Sequence, residues 1–289
     1  GQTSAPATSP VTATARGKRF KVAADDLFLN NRRQNIQAFT IAQKAGLDGV
    51  SVDMGSMSGG KALSNKLRDP AVRQQFLDAS QKTGVEISSL AFFALYAWVF
   101  PNVPGADDIA AEWVDMLVKM NVKLGHMPLM TKDGTLREPE HAEVWQKTVD
   151  IYKKVAPLAE KAGVILGVES NIDADGYKRF LDAVGSPNVQ AFYNPGVGLE
   201  NKFDVYKDIK DLGKNRVCGL HLEQGSVPPE NFEHRLGDGL IDFKKLREVL
   251  LEIEWGGWMN IARSRLKGTT GADTNMLANA KFVHEVFPE

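Results

Sequence analysis

One cysteine in 289 residues, Cys218, leaves this chain without an internal disulfide or a cysteine-built zinc site. It lies in the apolar run VCGL and reads as a small buried hydrophobe. No apolar run reaches the ~18 residues that a membrane-spanning helix requires. The longest, ISSLAFFALYAWVF, is shorter and carries two serines and a tyrosine. An excess of charge of one sign is also lacking. Lys+Arg number 35 against Asp+Glu 36, a net charge of −1, so no basic surplus points to nucleic acid or an anionic membrane. No Gly-x-Gly-x-x-Gly follows the first strand-like run and no Walker A segment occurs. Dinucleotide and P-loop readings therefore lose their main support. No repeat of solenoid period is present.

What is present is ordinary globular composition, 43% hydrophobic and 25% charged. The first 18 residues differ, being rich in Ala, Ser, Thr and Pro without hydrophobic periodicity. They read as a flexible leader of the kind that follows a removed signal peptide. An extracytoplasmic, periplasmic location is the corresponding expectation, with a cytoplasmic one as the alternative. From 19 to 289 the chain reads as one domain in which apolar runs alternate with amphipathic ones. The strand-like runs are FKVAAD, DGVSVD, VEISSLAF, VKLGHMPL, VILGVES, NVQAFYN, VCGLHLE and GGWMNIA. Each is followed by a segment of helical period; one of these, after VKLGHMPL, contains Pro157 and is expected to kink or split there. Eight such pairs predict a (β/α)8 TIM barrel, for which about 250 residues is usual. The rival is a doubly wound open sheet with an added lobe. Two long connections, 54–69 and 223–242, leave strand C-termini and are expected to overhang the barrel mouth.

In such a barrel the C-terminal ends of the strands carry the chemistry. Four positions close successive late strands: Glu169, Asn194, His221 and Ala262. A carboxylate, an amide and an imidazole make up most of a divalent-metal site, whereas the fourth position offers only a methyl group. Glu223 lies two residues beyond His221, on the same side of an extended strand, and is a candidate substitute carboxylate. Asp53 and His126 end earlier strands and are candidates for contact with substrate. Among the aromatic residues after the third strand, Phe92, Phe93, Tyr96 and Trp98, Phe92 and Trp98 are the candidate sugar-stacking pair. Arg265, and with it Arg263 and Lys132, offers a cation for a hydroxyl-rich or anionic ligand.

The order of short motifs resembles the sugar phosphate isomerase/epimerase superfamily, the xylose-isomerase-like barrels. The motifs are Gly167-Val168-Glu169-Ser170 on the fifth strand, Asn194-Pro195-Gly196 on the sixth, and His221-Leu222-Glu223-Gln224 on the seventh. Gly237-Asp238-Gly239 leading to Asp242-Phe243 follows, and then Gly257-Trp258 with Ala262 four residues on. The resemblance implies one divalent metal held by residues at positions 169, 194, 221 and 262. It also implies abstraction of a proton next to a keto-sugar carbonyl, with Glu169 and His221 as catalytic residues and Glu169, Asn194 and His221 as ligands. In this sequence Asn replaces the usual Asp and Ala the usual Glu. A metal (Zn, Mn or Mg) is therefore expected to bind weakly or not at all. The function expected is a metal-assisted sugar isomerase or epimerase, or a related keto-glycoside lyase, with a small carbohydrate as partner and neither nucleic acid nor membrane. The alternative is a catalytically impaired carbohydrate-binding or accessory protein on the same barrel. An AP-endonuclease-like reading would need a richer His/Asp/Glu cluster and a basic groove. The oligomeric state is left open.

Overall fold

The computed structural model describes residues 17–30, 32–131, 136–224, 235–262 and 272–288. The expected leader, as far as residue 16, lies outside them, as do Lys132, Arg263 and Arg265. Eight parallel strands close into a barrel: β1 (Phe20–Asp25), β2 (Gly49–Asp53), β5 (Glu86–Ala91), β6 (Leu124–Pro128), β7 (Ile165–Glu169), β8 (Val189–Tyr193), β9 (Val217–Leu222) and β10 (Gly257–Ile261). Each neighbour in the barrel is also the neighbour in sequence, and β1 closes on β10 from Phe20 opposite Gly257 to Ala24 opposite Ile261. Almost every strand residue is buried. Helices cover the outer face and side chains fill the inner one, hence the near-continuous apolar runs.

Local signals set the helix ends. Asp69 caps α3 (Pro70–Thr83) by accepting from Ala71 N, Pro70 takes the first turn, and Gly84 closes it at φ 71°. Asp173, Asp204 and Asp242 do the same for α6 (Ala174–Val184), α8 (Val205–Leu212) and α9 (Phe243–Glu252). Pro157 neither splits nor ends its helix. The segment α5 (Ala142–Ala162) runs unbroken through it. Val149, Tyr152, Val155, Ala156 and Ala159 are buried along this helix, and that tertiary packing offsets the one missing backbone bond.

The connection at 54–69 is not structureless. It folds into the antiparallel hairpin β3 (Ser56–Ser58) and β4 (Ala62–Ser64), turned by Gly59 and Gly60 at φ 54° and 71°. Two consecutive positive φ values are what Gly-Gly supplies between short strands, and Met57 and Leu63 fix the buried face.

The inside of the barrel is plugged by Ala23, Leu124, Ile165, Phe192 and Trp258. Phe192 fits because Gly219 faces it without a side chain; a Cβ there would come within 2.7 Å of the ring. The Phe192 ring closes the lower barrel and becomes the floor of what lies above.

Candidate active site

Side chains alternate along a strand, so positions two or four beyond a plug residue also point inward. That rule takes Ala23 to Asp25, Leu124 to His126, Ile165 to Glu169, Phe192 to Asn194 and Trp258 to Ala262. The structure brings the first four of these together with His221 just above Phe192. The His126 ring stacks on Phe192 with centroids 4.0 Å apart. Its Nε2 lies 2.5 Å from Glu169 Oε2. His221 Nδ1 is 3.1 Å from both oxygens of Glu169, and its Nε2 is 3.0 Å from Asp25 Oδ2. The Tyr96 hydroxyl donates to Glu169 Oε2 at 3.2 Å. Phe93 stacks on Tyr96 and on His221 and meets His126 edge-on. His126, Glu169, His221 and Asp25 are essentially without solvent exposure.

The electrostatics follow from this packing. Burial disfavours the Glu169 carboxylate, but the charges of His221 and His126 and their hydrogen bonds override it. The group is held well below the usual carboxylate range. Burial likewise opposes the His221 cation, but Glu169 and Asp25 flank it on both nitrogens and push it well above the usual histidine value. Its hydroxyl buried beside the Glu169 charge, Tyr96 is pushed up and stays a neutral donor. Asp25→Asn therefore lowers the pKa of His221. Imidazole nitrogen shifts followed by NMR across pH are the measurement, and an unchanged titration would contradict the assignment.

Asn194 does not present its oxygen to the cluster. Oδ1 caps α7 (Pro195–Glu200) by accepting from Val197 N at 3.0 Å. Nδ2 donates to Glu169 Oε1 at 2.8 Å and to Glu223 Oε2 at 3.2 Å. The amide thus bridges two carboxylates that an Asp at this place would repel. As a ligand, which was the expectation, it would have to turn over and give up the cap. Glu223 is half-buried and lines a cavity of about 250 Å³ together with Tyr96, Met130, His221 and Ala262. Ala262 is 2% exposed and puts its methyl group into that wall.

Three expectations are corrected. Phe92 is buried in the core, edge-on to Trp113, and takes no part in the mouth; its neighbour Phe93 does, because the chain turns there into a short 3-10 helix. Trp98 packs over Gly60 of the hairpin rather than on the cavity. Asp53 sits one layer behind, paired with Arg33 and accepting from Gly55 N. It lies close enough to Asp26 that Asp26 Oδ2 accepts from its backbone N–H. Asp25 is the residue of this cluster that the sequence reading did not single out. Its signal was an acidic residue ending the first strand, in phase with inward-facing Lys21 and Ala23.

Burial pushes Asp53 up from 3.8 to about 7, outweighing the opposing Arg33 charge and the Gly55 hydrogen bond. The folded protein then keeps a proton that the unfolded chain releases near pH 4, so stability falls as pH rises through that window, by about 1.4 kcal/mol per pH unit. Asp53→Asn removes this contribution. Urea melts of both proteins at several pH values between 4 and 8 should diverge in the variant's favour up to about pH 7; parallel profiles would refute it.

One ligand atom each from His126, Glu169 and His221 lies within 4.8 Å of the others, the one such grouping among the described residues. Two imidazoles and a carboxylate suit a divalent transition metal. Asp25 behind His221 is the outer carboxylate that metal-binding histidines typically use. Among the described residues His126 has no counterpart to it, since its Nδ1 is buried without a partner there. The donor set fits a metal, with His126 in the place expected of Asn194.

The family described as xylose isomerase-like TIM barrel matches the sequence over residues 39–281. No curated protein matches it. Solved structures share the fold. D-allulose 3-epimerase from Methylomonas sp. is 16% identical, with 94% of this chain and 100% of that one covered at a TM-score of 0.70. D-psicose 3-epimerase from Clostridium cellulolyticum H10 is 15% identical, with 93% and 99% covered at 0.70. An L-ribulose 3-epimerase is 14% identical, with 93% and 94% covered at 0.71. Among the described residues no helix is long and apolar enough to cross a membrane.

Proposed function

Because the chain belongs to the xylose isomerase-like TIM barrel family, we propose that it removes and returns a proton next to the carbonyl of a keto-sugar, as a sugar isomerase or epimerase. The observation that carries this reading is the ionised Glu169, buried between two histidines and in contact with Tyr96 and His221, which line the cavity together with a second carboxylate, Glu223. Sugar epimerases of the same fold, one of them solved with D-allulose, support the substrate class.

In this reading Glu169 takes the proton. Asn194 Nδ2 and the Tyr96 hydroxyl orient its two oxygens. Tyr96 and His221 both line the cavity; when no metal is held there, the positive charge of the His221 imidazolium favours negative charge developing on the sugar oxygen, while the single Tyr96 O–H stays on Glu169. Epimerisation needs a second group to return the proton to the other face, and Glu223, two residues along from His221, is the candidate. His126, Glu169 and His221 would hold a divalent metal, with Glu223 as a further carboxylate beside them. When bound, the metal polarises the carbonyl.

The test is deuterium uptake from heavy water into D-allulose, D-fructose and L-ribulose, followed by NMR with and without added Mn²⁺ or Zn²⁺. Exchange at a carbon flanking the carbonyl is the expected result. Sugar binding without exchange under any condition would replace this reading with that of a binding or accessory protein. That alternative is favoured by Ala262, where the resemblance calls for a second acidic ligand.

A further inference from the structure

Resting on the reading of the central cavity as a keto-sugar site, we propose that the natural substrate is an O-substituted keto-sugar. Its substituent, a second neutral sugar ring, lies in a groove that opens beside the cavity.

The groove has a volume of about 500 Å³. Asn171, Glu200 and Asn201 line both it and the central cavity, so the two spaces adjoin across these side chains. Such a pair is larger than one monosaccharide needs and falls within the usual range for extended ligands. The walls suit a sugar ring. Ile172 and Phe203 contribute apolar surface, which stacks on the face of a pyranose. Arg137, Asn171, Glu200 and Asn201 contribute donors and acceptors for its hydroxyls. The polar side is already ordered, since Arg137 donates from Nε to Asn171 O at 3.0 Å and from Nη2 to Asn201 Oδ1. Preorganised groups lose little freedom on binding. At the junction, Asn171 Oδ1 is buried and has no hydrogen-bond partner among the described residues. A buried acceptor of this kind is unfavourable until a donor arrives, and a sugar hydroxyl is such a donor.

Charge selects among substituents. Arg137, Arg179 and Lys202 line the groove, but so do Glu138, Glu140, Asp173 and Glu200. With one more carboxylate than cation, and Arg179 already 3.4 Å from Glu138, the field does not favour a phosphate dianion. A neutral ring is the better match.

The experiment compares D-fructose with three fructose-containing disaccharides, turanose, lactulose and isomaltulose, and with fructose 6-phosphate. Calorimetry gives affinity and heavy-water exchange gives turnover, for the unmodified protein and for Phe203→Ala and Phe203→Tyr, with melting curves as a check on folding. At least one disaccharide is expected to bind at least about tenfold more tightly than D-fructose. Phe203→Ala should abolish that advantage and leave D-fructose binding unchanged, while Phe203→Tyr keeps it. If D-fructose binds and exchanges but no disaccharide binds more tightly, the groove is not a subsite, and the keto-sugar reading survives. If fructose 6-phosphate binds most tightly, the neutral-ring proposal is overturned. If no sugar binds or exchanges, the reading of the central cavity fails and takes this proposal with it.

Discussion

Glu169→Gln lowers proton exchange at the carbon next to the keto-sugar carbonyl by about 10²–10⁴-fold, the usual contribution of a positioned general base. The amide is nearly isosteric but keeps one acceptor oxygen, so one of the two donors on Glu169, Asn194 Nδ2 or the Tyr96 O–H, loses its partner. The charge is lost as well. His221 then has only Asp25 as a counter-ion, and His126 Nε2 faces an amide in place of a carboxylate at 2.5 Å. Deuterium uptake measured by NMR, with the melting temperature as a folding control, provides the test. A folded Glu169→Gln protein exchanging within a few-fold of the unmodified one would remove Glu169 from the chemistry. Glu223→Gln should affect return of the proton to the opposite face more than its removal. Exchange with epimerisation suppressed is thus the pattern for that variant.

Ala262→Glu is expected to change metal binding more than any other single substitution. Residue 262 lines the cavity with His221 and Glu223, and its backbone N–H donates to Leu222 O, so the position is fixed. A carboxylate here joins Glu169 and Glu223 in one small volume. Without a cation the three repel and the new one is desolvated, which costs about 1–3 kcal/mol of stability and lowers the melting temperature. With Mn²⁺ or Zn²⁺ the same charge is an added ligand. Affinity should tighten at least about tenfold, and the melting temperature should recover with metal concentration, as linkage requires. Calorimetry and melting curves of both proteins read this out. Unchanged affinity together with an unchanged melting temperature would mean that the side chain at 262 does not reach the metal-binding groups.

By itself the sequence determined the barrel. Eight runs such as VILGVES and VCGLHLE are apolar on both faces, which is the pattern of strands covered by helices outside and plugged inside, and the caps at Asp69, Asp173 and Gly84 mark helix ends by local chemistry alone. It also determined that Glu169 and His221 meet, because a strand's C-terminal end and its two-residue alternation leave few places for those side chains to go. The tertiary structure decided which atoms face which. Asn194 turned its nitrogen inward because its oxygen is the N-cap of α7, a bond that depends on where that helix starts. His126 entered the cluster because Phe192 supports its ring, and Phe192 has room only where Gly219, on the adjoining strand, lacks a side chain. Asp25 became the partner of His221 although 196 residues separate them. Of the aromatic residues expected at the mouth, Phe93 came to face the cluster and Phe92 the core, at a single 3-10 turn. Spacing along a chain fixes which face a residue belongs to. Contacts between faces depend on the distances and rotamers that closing the barrel imposes.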